Sequence, residues 1–376
     1  MPTQLEQAHA AAAAAGSPQQ AVELYRAVLF ANDAAGVSVA DREVALLSLA
    51  ALFERQQDAV ALTRLINSSQ KYLVTVSKAK SSKLIRQLVD RFDGIQGGLE
   101  AQVATCKGML EWARSENREY LRQSLETRLV SLYLESRLYT EALQLISQLL
   151  YELKKLDDKM QLVEVHLLES RAYMALKNLA KSRAALTSAR TAANSIYTPP
   201  PLQAQLDLQS GALHADEGDF KTAFSYFFET MEGLNVYANS RSASEGAGAA
   251  AEAAADYEQQ QAHAFACMVL CKIMMQQPDE ITAMFATGKT AAKFREHRTI
   301  VALQAVAKAQ KQRSLEDFEK ALSEHRGELH TDELIRNHLT ALYDTLLEQN
   351  LMRLIEPYSQ VEIPHIARLI GLPMGV

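Results

Sequence analysis

Four stretches of this chain share one pattern: "GSPQQAVELYRAVL" from Gly16, "SRLYTEALQLISQLL" from Ser136, "LKNLAKSRAALTSAR" from Leu176 and "EGDFKTAFSYFFETM" from Glu217. Each has a short polar turn, then an anchor residue, then a small residue three positions on. The pairs are Pro18 and Ala21, Tyr139 and Ala142, Leu179 and Ser182, and Phe220 and Ala223. The last three anchors are 40 and 41 residues apart, and the step from Pro18 to Tyr139, 121 residues, is close to three such periods. "SLEDFEKALSEH" from Ser314 begins in the same way but carries Phe318 at the small position.

A period near 40 holds two antiparallel helices and their turns, which is the mark of an α-solenoid of tetratricopeptide type. The small residue lets the neighbouring helix approach, and the anchor fills the space beside it. Ala, Leu, Gln, Glu, Lys and Arg dominate the chain, all good helix formers. Prolines are nearly absent between Pro18 and Pro199. The pattern predicts successive helices over 100–114, 117–135, 138–155, 160–175, 179–196 and 202–216, with "YTPPP" at 197–201 as a stop.

The stretch 218–233 is crowded with aromatics, which could line a pocket or fill a seam. Phe220, Phe224, Phe227 and Phe228 recur at helical spacing on one face, so they are assigned to packing between repeats. A break follows at 238–261, rich in Ser, Gly and Ala; it reads as a loop insertion, open to disorder, that turns helical toward Glu252. Helices resume through "AHAFACMVLCKIMM" and run to "LMRLIEPY". Beyond them Val361 and Ile363 alternate as a short strand, and Pro364 opens a helix to Leu372, as in the entry to a winged helix.

Signals for chemistry are weak. The 9 histidines form no metal pattern, and His325 and His330 do not share a helix face. Cys267 and Cys271 do share one, but no second pair lies near, so they read as packing. "ATGKT" at 286–290 ends like a phosphate-binding loop, yet Ala283 stands where its first glycine belongs and "PDEITAMF" reads as helix. No catalytic residue, metal ligand or cofactor site emerges. The net charge of -6 argues against a nucleic-acid binder. No apolar run reaches the ~20 residues that cross a bilayer. Three cysteines make no disulfide framework, so a reducing compartment is expected. One charged face stands out: in "KAKSSKLIRQLVDRF", Leu84, Ile85, Leu88, Val89 and Phe92 form a buried stripe, while Lys80, Lys83 and Arg86 lie opposite. They suit a solvated helix back or a dock for an acidic partner.

Long stretches carry a more specific signal. "SKAKSSKLIRQLVDRF", "EWARSENREYLRQSLETRLVSLYLESRLYTEALQLISQLLYELKKLDDK", "LVEVHLLESRAYMALKNLAKSRAALTSARTAANSIYTPPPLQAQLDLQSG", "RSLEDFEKALSEHRGEL" and "LYDTLLEQNLMRLIEPYSQVEIPHIARLI" resemble the PCI-domain subunit of the proteasome regulatory-particle lid, the family of non-ATPase regulatory subunit 11. The resemblance runs from about residue 64 to the end, and more loosely before it.

What the resemblance implies is an all-α fold: a helical-repeat solenoid over 1–237, the helical part of a PCI module over 262–356, and the start of a winged helix over 357–376, with the Ala/Gly-rich stretch 238–261 set between them as an insertion, open to disorder. It implies a non-catalytic scaffold, without cofactor, that clamps the regulatory particle onto the core particle in ubiquitin-dependent degradation. Implied partners are other PCI lid subunits, the ATPase ring and core-particle α subunits, in cytoplasm and nucleus. Neither nucleic acid nor a membrane is among them, and the isolated chain is expected to be a monomer. Val361, Glu362 and Ile363 would supply a strand edge for a neighbour. Two departures are the insertion and the end at Val376, inside the winged helix, where family members continue. The paralogous signalosome subunit is the alternative, but "TSARTAANSIYTPPPLQAQLDLQSG" is closer to the lid subunit.

Overall fold

In the computed structural model, residues 18–30, 38–242, 249–287, 293–330 and 332–357 are described. Among them there is helix and no strand. The chain divides into two compact units, 1–157 and 158–376. The first holds α1 (Pro18–Leu29), α2 (Val39–Arg55), α3 (Ala59–Thr75), α4 (Lys78–Asp90), α5 (Leu99–Ser115), α6 (Glu119–Glu135) and α7 (Tyr139–Leu156), with a single 3-10 turn at Arg91–Gly94 after α4. The second holds α8 (Lys159–Ala175), α9 (Leu179–Asn194), α10 (Pro200–Asp216), α11 (Phe220–Ser242), α12 (Ala249–Met274), α13 (Pro278–Thr287), α14 (Arg298–Gln312), α15 (Leu315–Glu324), the short α16 (Arg326–Leu329) and α17 (Glu333–Ile355).

The repeat pattern sits at the start of α1, α7, α9 and α11, where each anchor opens its helix. The small residues Ala21, Ala142, Ser182 and Ala223 are fully buried. Tyr139 and Leu179 are half-buried, and Leu179 packs against the core between α8, α9 and α10. At Ser182 the small residue is also polar. Its Oγ donates to the Ser170 carbonyl at 2.9 Å and meets the Ser170 Oγ at 2.9 Å, so the close approach of α8 and α9 leaves its hydroxyl satisfied.

The turns repeat as faithfully as the helices. Gln57, Asn117, Arg137, Lys177, Gly218, Gln276 and Arg313 all have left-handed backbone. At each, its own N–H bonds three residues back and the next N–H bonds five back, as in Arg137 to Leu134 O at 3.1 Å and Leu138 to Tyr133 O at 2.8 Å. These are the paired bonds of a Schellman motif, which satisfies the last carbonyls of one helix while reversing the chain. The next helix then starts at once, with Asp58, Asn178, Asp219 and Ser314 accepting a bond from a backbone N–H of its first turn. Glycine suits this position best, yet only Gly218 supplies it here.

Of the stretch read as an insertion over 238–261, residues 238–242 end α11 and 249–261 begin α12, while its centre, 243–248, lies outside the described residues. Alanine and glutamate at 249–254 have high intrinsic helix propensity, in keeping with the turn to helix expected toward Glu252. The division at Asp157/Asp158 falls within the stretch read as one solenoid over 1–237. Among the described residues no helix is long and apolar enough to cross a membrane.

Candidate interaction surface

The aromatic stretch opens α11. Phe227 is fully buried, and Phe220 and Phe224 are half-buried against the same core. Phe227 lies on Gly211 of α10, where a Cβ would come within 2.7 Å of its ring. The glycine therefore sets how closely α10 and α11 approach. Phe228 departs from the expected stripe and is 43% exposed. At 100° per residue it is one step round from Phe227 and clears the seam. Tyr226 stacks on His214, and its hydroxyl accepts from Arg190 at 3.0 Å. Arg190 in turn donates to Asp207 at 2.7 Å. These rings hold repeats together and enclose no site.

Helix α4 divides as its pattern predicts. Leu84, Ile85, Leu88, Val89 and, just beyond, Phe92 are buried; Lys80, Lys83 and Arg86 are exposed. Its inner side is pinned by the residue that precedes α6: the buried Arg118 guanidinium donates to Ser81 Oγ and to Leu73 O, and lies 4.8 Å from the Trp112 ring centroid. The acids at its far end are held within the unit, since Arg128 bridges Asp93 and Asp90. On the outer face Lys80 reaches Glu43 at 3.8 Å and Arg86 lies over the exposed Tyr120 ring, 5.9 Å from its centroid. Lys83 has no ion pair among the described residues.

The placement of these cations is unusual. Lys78, Lys80 and Lys83 occupy the N-terminal half of α4, no acid lies in its first turn, and Ser77 makes no side-chain cap bond. Lys78 and Lys80 stand in the first turn, where a cation is disfavoured by about 0.3–1 kcal/mol, and Lys83 follows one turn further in. The sum is a concentrated positive field, suited to an acidic surface.

Other candidates are placed as follows. Val361, Glu362 and Ile363 lie outside the described residues. Ala286 and Thr287 end α13, and the rest of "ATGKT" is outside the described residues; what precedes it is helix, not the strand a phosphate loop requires. Cys106, Cys267 and Cys271 are free and buried. Burial pushes the Cys106 thiol up to about 12 and raises that of Cys271 further still.

Stacked helix pairs with an exposed cationic row and aromatics spent on packing define a class: a helical-repeat protein built for protein contacts. Residues 322–374 match the PCI domain, and residues 1–136 match the 26S proteasome regulatory subunit RPN6 N-terminal domain. The chain is 44% identical over 355 residues to the probable 26S proteasome regulatory subunit rpn6 of Schizosaccharomyces pombe, covering 94% of this chain and 80% of that protein. To the 26S proteasome regulatory subunit RPN6 of Saccharomyces cerevisiae it is 42% identical over 344 residues, 90% and 76% of the two chains. A solved structure of a Rap protein complexed with competence and sporulation factor superposes with a TM-score of 0.51 at 13% identity, over 98% of this chain and 95% of that one, a likeness of fold alone. The chain belongs to the RPN6 family of 26S proteasome regulatory subunits, also named non-ATPase regulatory subunit 11.

Proposed function

We propose that this chain is a non-catalytic scaffold subunit of the proteasome lid, holding the regulatory particle against the core particle in cytoplasm and nucleus. The observation that carries this reading is the 44% identity kept over 94% of the chain with a proteasome regulatory subunit. The helical repeats suit the role, because they offer a long surface for partners and need no pocket. Other PCI subunits, the ATPase ring and core-particle α subunits are the partners. The row Lys80, Lys83 and Arg86 docks an acidic partner surface, and Val361, Glu362 and Ile363 extend a neighbour's sheet.

A tagged chain expressed in cells tests the reading. Lid, ATPase and core subunits are expected in the eluate together with peptidase activity; recovery of cullin-linked proteins instead would move the chain to the signalosome. Within the assembly, Lys83→Glu with Arg86→Glu should weaken retention of a partner at least about tenfold and alter its salt dependence. Equal retention at every salt concentration would remove this row from the interface and leave the scaffold role standing.

A further inference from the structure

Two residues that the sequence places one helical turn apart meet a third from far along the chain. His263 and Cys267 share a face of α12, as residues four apart must. Asp332 caps α17, and its Oδ1 accepts from Leu334 N at 2.9 Å. That bond fixes the carboxylate and leaves Oδ2 facing α12. Oδ2 lies 2.5 Å from His263 Nε2, and Nε2 lies 3.9 Å from Cys267 Sγ. The nitrogen, sulfur and oxygen all fall within 4.8 Å of one another.

Two chemistries use Cys, His and Asp. A nucleophilic triad needs the imidazole between its partners, one on each ring nitrogen. Here both partners face the same Nε2, so the ring cannot pass a proton from sulfur to carboxylate in that way. Convergence of three different donor atoms on one point is instead what ligation of an ion requires. With zinc–nitrogen and zinc–sulfur bonds of about 2.0 and 2.3 Å, the 3.9 Å separation subtends about 130° at the ion, wider than tetrahedral by about 20°. The 2.5 Å nitrogen–oxygen contact is a short hydrogen bond; for an ion to take its place that separation must open to about 3.3 Å, and the sulfur–oxygen separation, within 4.8 Å, must close to about 3.5 Å. Rotation of the Asp332 carboxyl about its capping oxygen supplies the movement.

We propose that His263, Cys267 and Asp332 form a binding site for a thiophilic divalent cation, zinc by chemistry. Sulfur and imidazole select zinc over magnesium or calcium, and the carboxylate completes a three-ligand set with a fourth position for water. A thiolate and a carboxylate balance the charge of the ion. The thiol proton and the proton of the His263–Asp332 hydrogen bond leave to solvent as it binds. Access is from the imidazole side, where His263 keeps 41% of its side chain exposed while Cys267 closes the site from the core. The bound ion would tie α12 to the start of α17, two elements 69 residues apart at the ligands.

The test is titration of the metal-free full-length chain with cobalt(II), followed by zinc(II). One cobalt per chain is expected, with a thiolate-to-cobalt charge-transfer band and d–d bands of tetrahedral intensity, all abolished by zinc. Cys267→Ala should remove the charge-transfer band, and Cys271→Ala should keep it. Asp332→Asn, which preserves the helix cap, should weaken cobalt at least about tenfold. Circular dichroism identical to the parent verifies each variant's fold. Absence of a thiolate band in the parent, its survival in Cys267→Ala, or unchanged affinity in Asp332→Asn would each overturn the assignment.

Discussion

Gly211→Ala is a test of the packing argument because two effects oppose each other. In a helix interior, replacing Gly by Ala ordinarily stabilises by about 1 kcal/mol. At Gly211 the added methyl would sit 2.7, 2.8 and 3.0 Å from three ring carbons of Phe227. Phe227 has no exposed surface, so its ring can retreat only by displacing the core around it. Overpacking of this kind costs about 1–3 kcal/mol. Gly233, on α11, provides the control, for nothing lies within 4 Å of its added Cβ. The difference between the two variants cancels the propensity term and isolates the clash. Gly211→Ala should be less stable than Gly233→Ala by about 1–3 kcal/mol, or about 2–12 °C in Tm for a unit of this size. The assay is thermal unfolding followed by circular dichroism, read on the transition of the second unit. Phe227→Leu in the Gly211→Ala background should recover part of the difference as a favourable coupling. Equal melting of the two glycine variants, or no coupling with Phe227, would refute the claim that Gly211 sets the α10–α11 approach.

Three further outcomes follow from turns, buried acids and thiols. Arg137 is exposed and left-handed at a Schellman turn, so Arg137→Gly should stabilise the first unit by about 0.5–1 kcal/mol in denaturant unfolding; a loss would show that its side chain contributes more than its backbone costs. Burial raises the Asp207 carboxyl above its ordinary range despite its bonds from Gln203 and Arg190, so the folded state holds this proton more tightly than the unfolded chain. The second unit should therefore lose stability as pH rises from about 3.9 through the raised value, and Asp207→Asn should flatten that slope; an unchanged slope counts against the assignment. Burial takes the Cys106 thiol from 9.0 to about 12, leaving about a thousandfold less thiolate near pH 8. Alkylation followed by peptide mass spectrometry should find Cys106 unmodified in the native chain and labelled in denaturant, and rapid native labelling would contradict its burial.

How much of this was legible in advance depends on the range of each interaction. The helices expected at 138–155 and 179–196 appear as Tyr139–Leu156 and Leu179–Asn194, because each is set by apolar periodicity and a turn within a few residues of its start. The small positions were legible for the same reason: Ala142, Ser182 and Ala223 recur at a fixed offset, and all are fully buried. The Schellman turns left a fainter trace. Their left-handed position holds Gln, Asn, Arg, Lys or Gly, so no residue type marks it, and its trace is the regular spacing of 20 residues from Asn117 to Arg137 and of 40 from Arg137 to Lys177. At the Ala-rich stretch the helix expected toward Glu252 begins at Ala249, because a run of alanine and glutamate needs only propensity and a core to attach to further along.

The cluster at His263 marks the boundary of what a single chain reading can reach. Its local half was visible as cysteines four apart, but the wrong pair attracted notice, since Cys271 points into the core and the partner of Cys267 is His263, one turn earlier. The third member is Asp332, whose sequence signal is that of a helix cap and nothing more. A carboxylate can satisfy a cap with one oxygen and serve a second purpose with the other, and only the packing of α17 against α12 reveals which second purpose is within reach. The same reasoning applies to Lys80, Lys83 and Arg86. Their spacing alone suits any solvated helix back; what separates them is that Lys80, with Lys78, stands in the first turn of α4, where no acid is present, and that Lys83 and Arg86 continue the same exposed face.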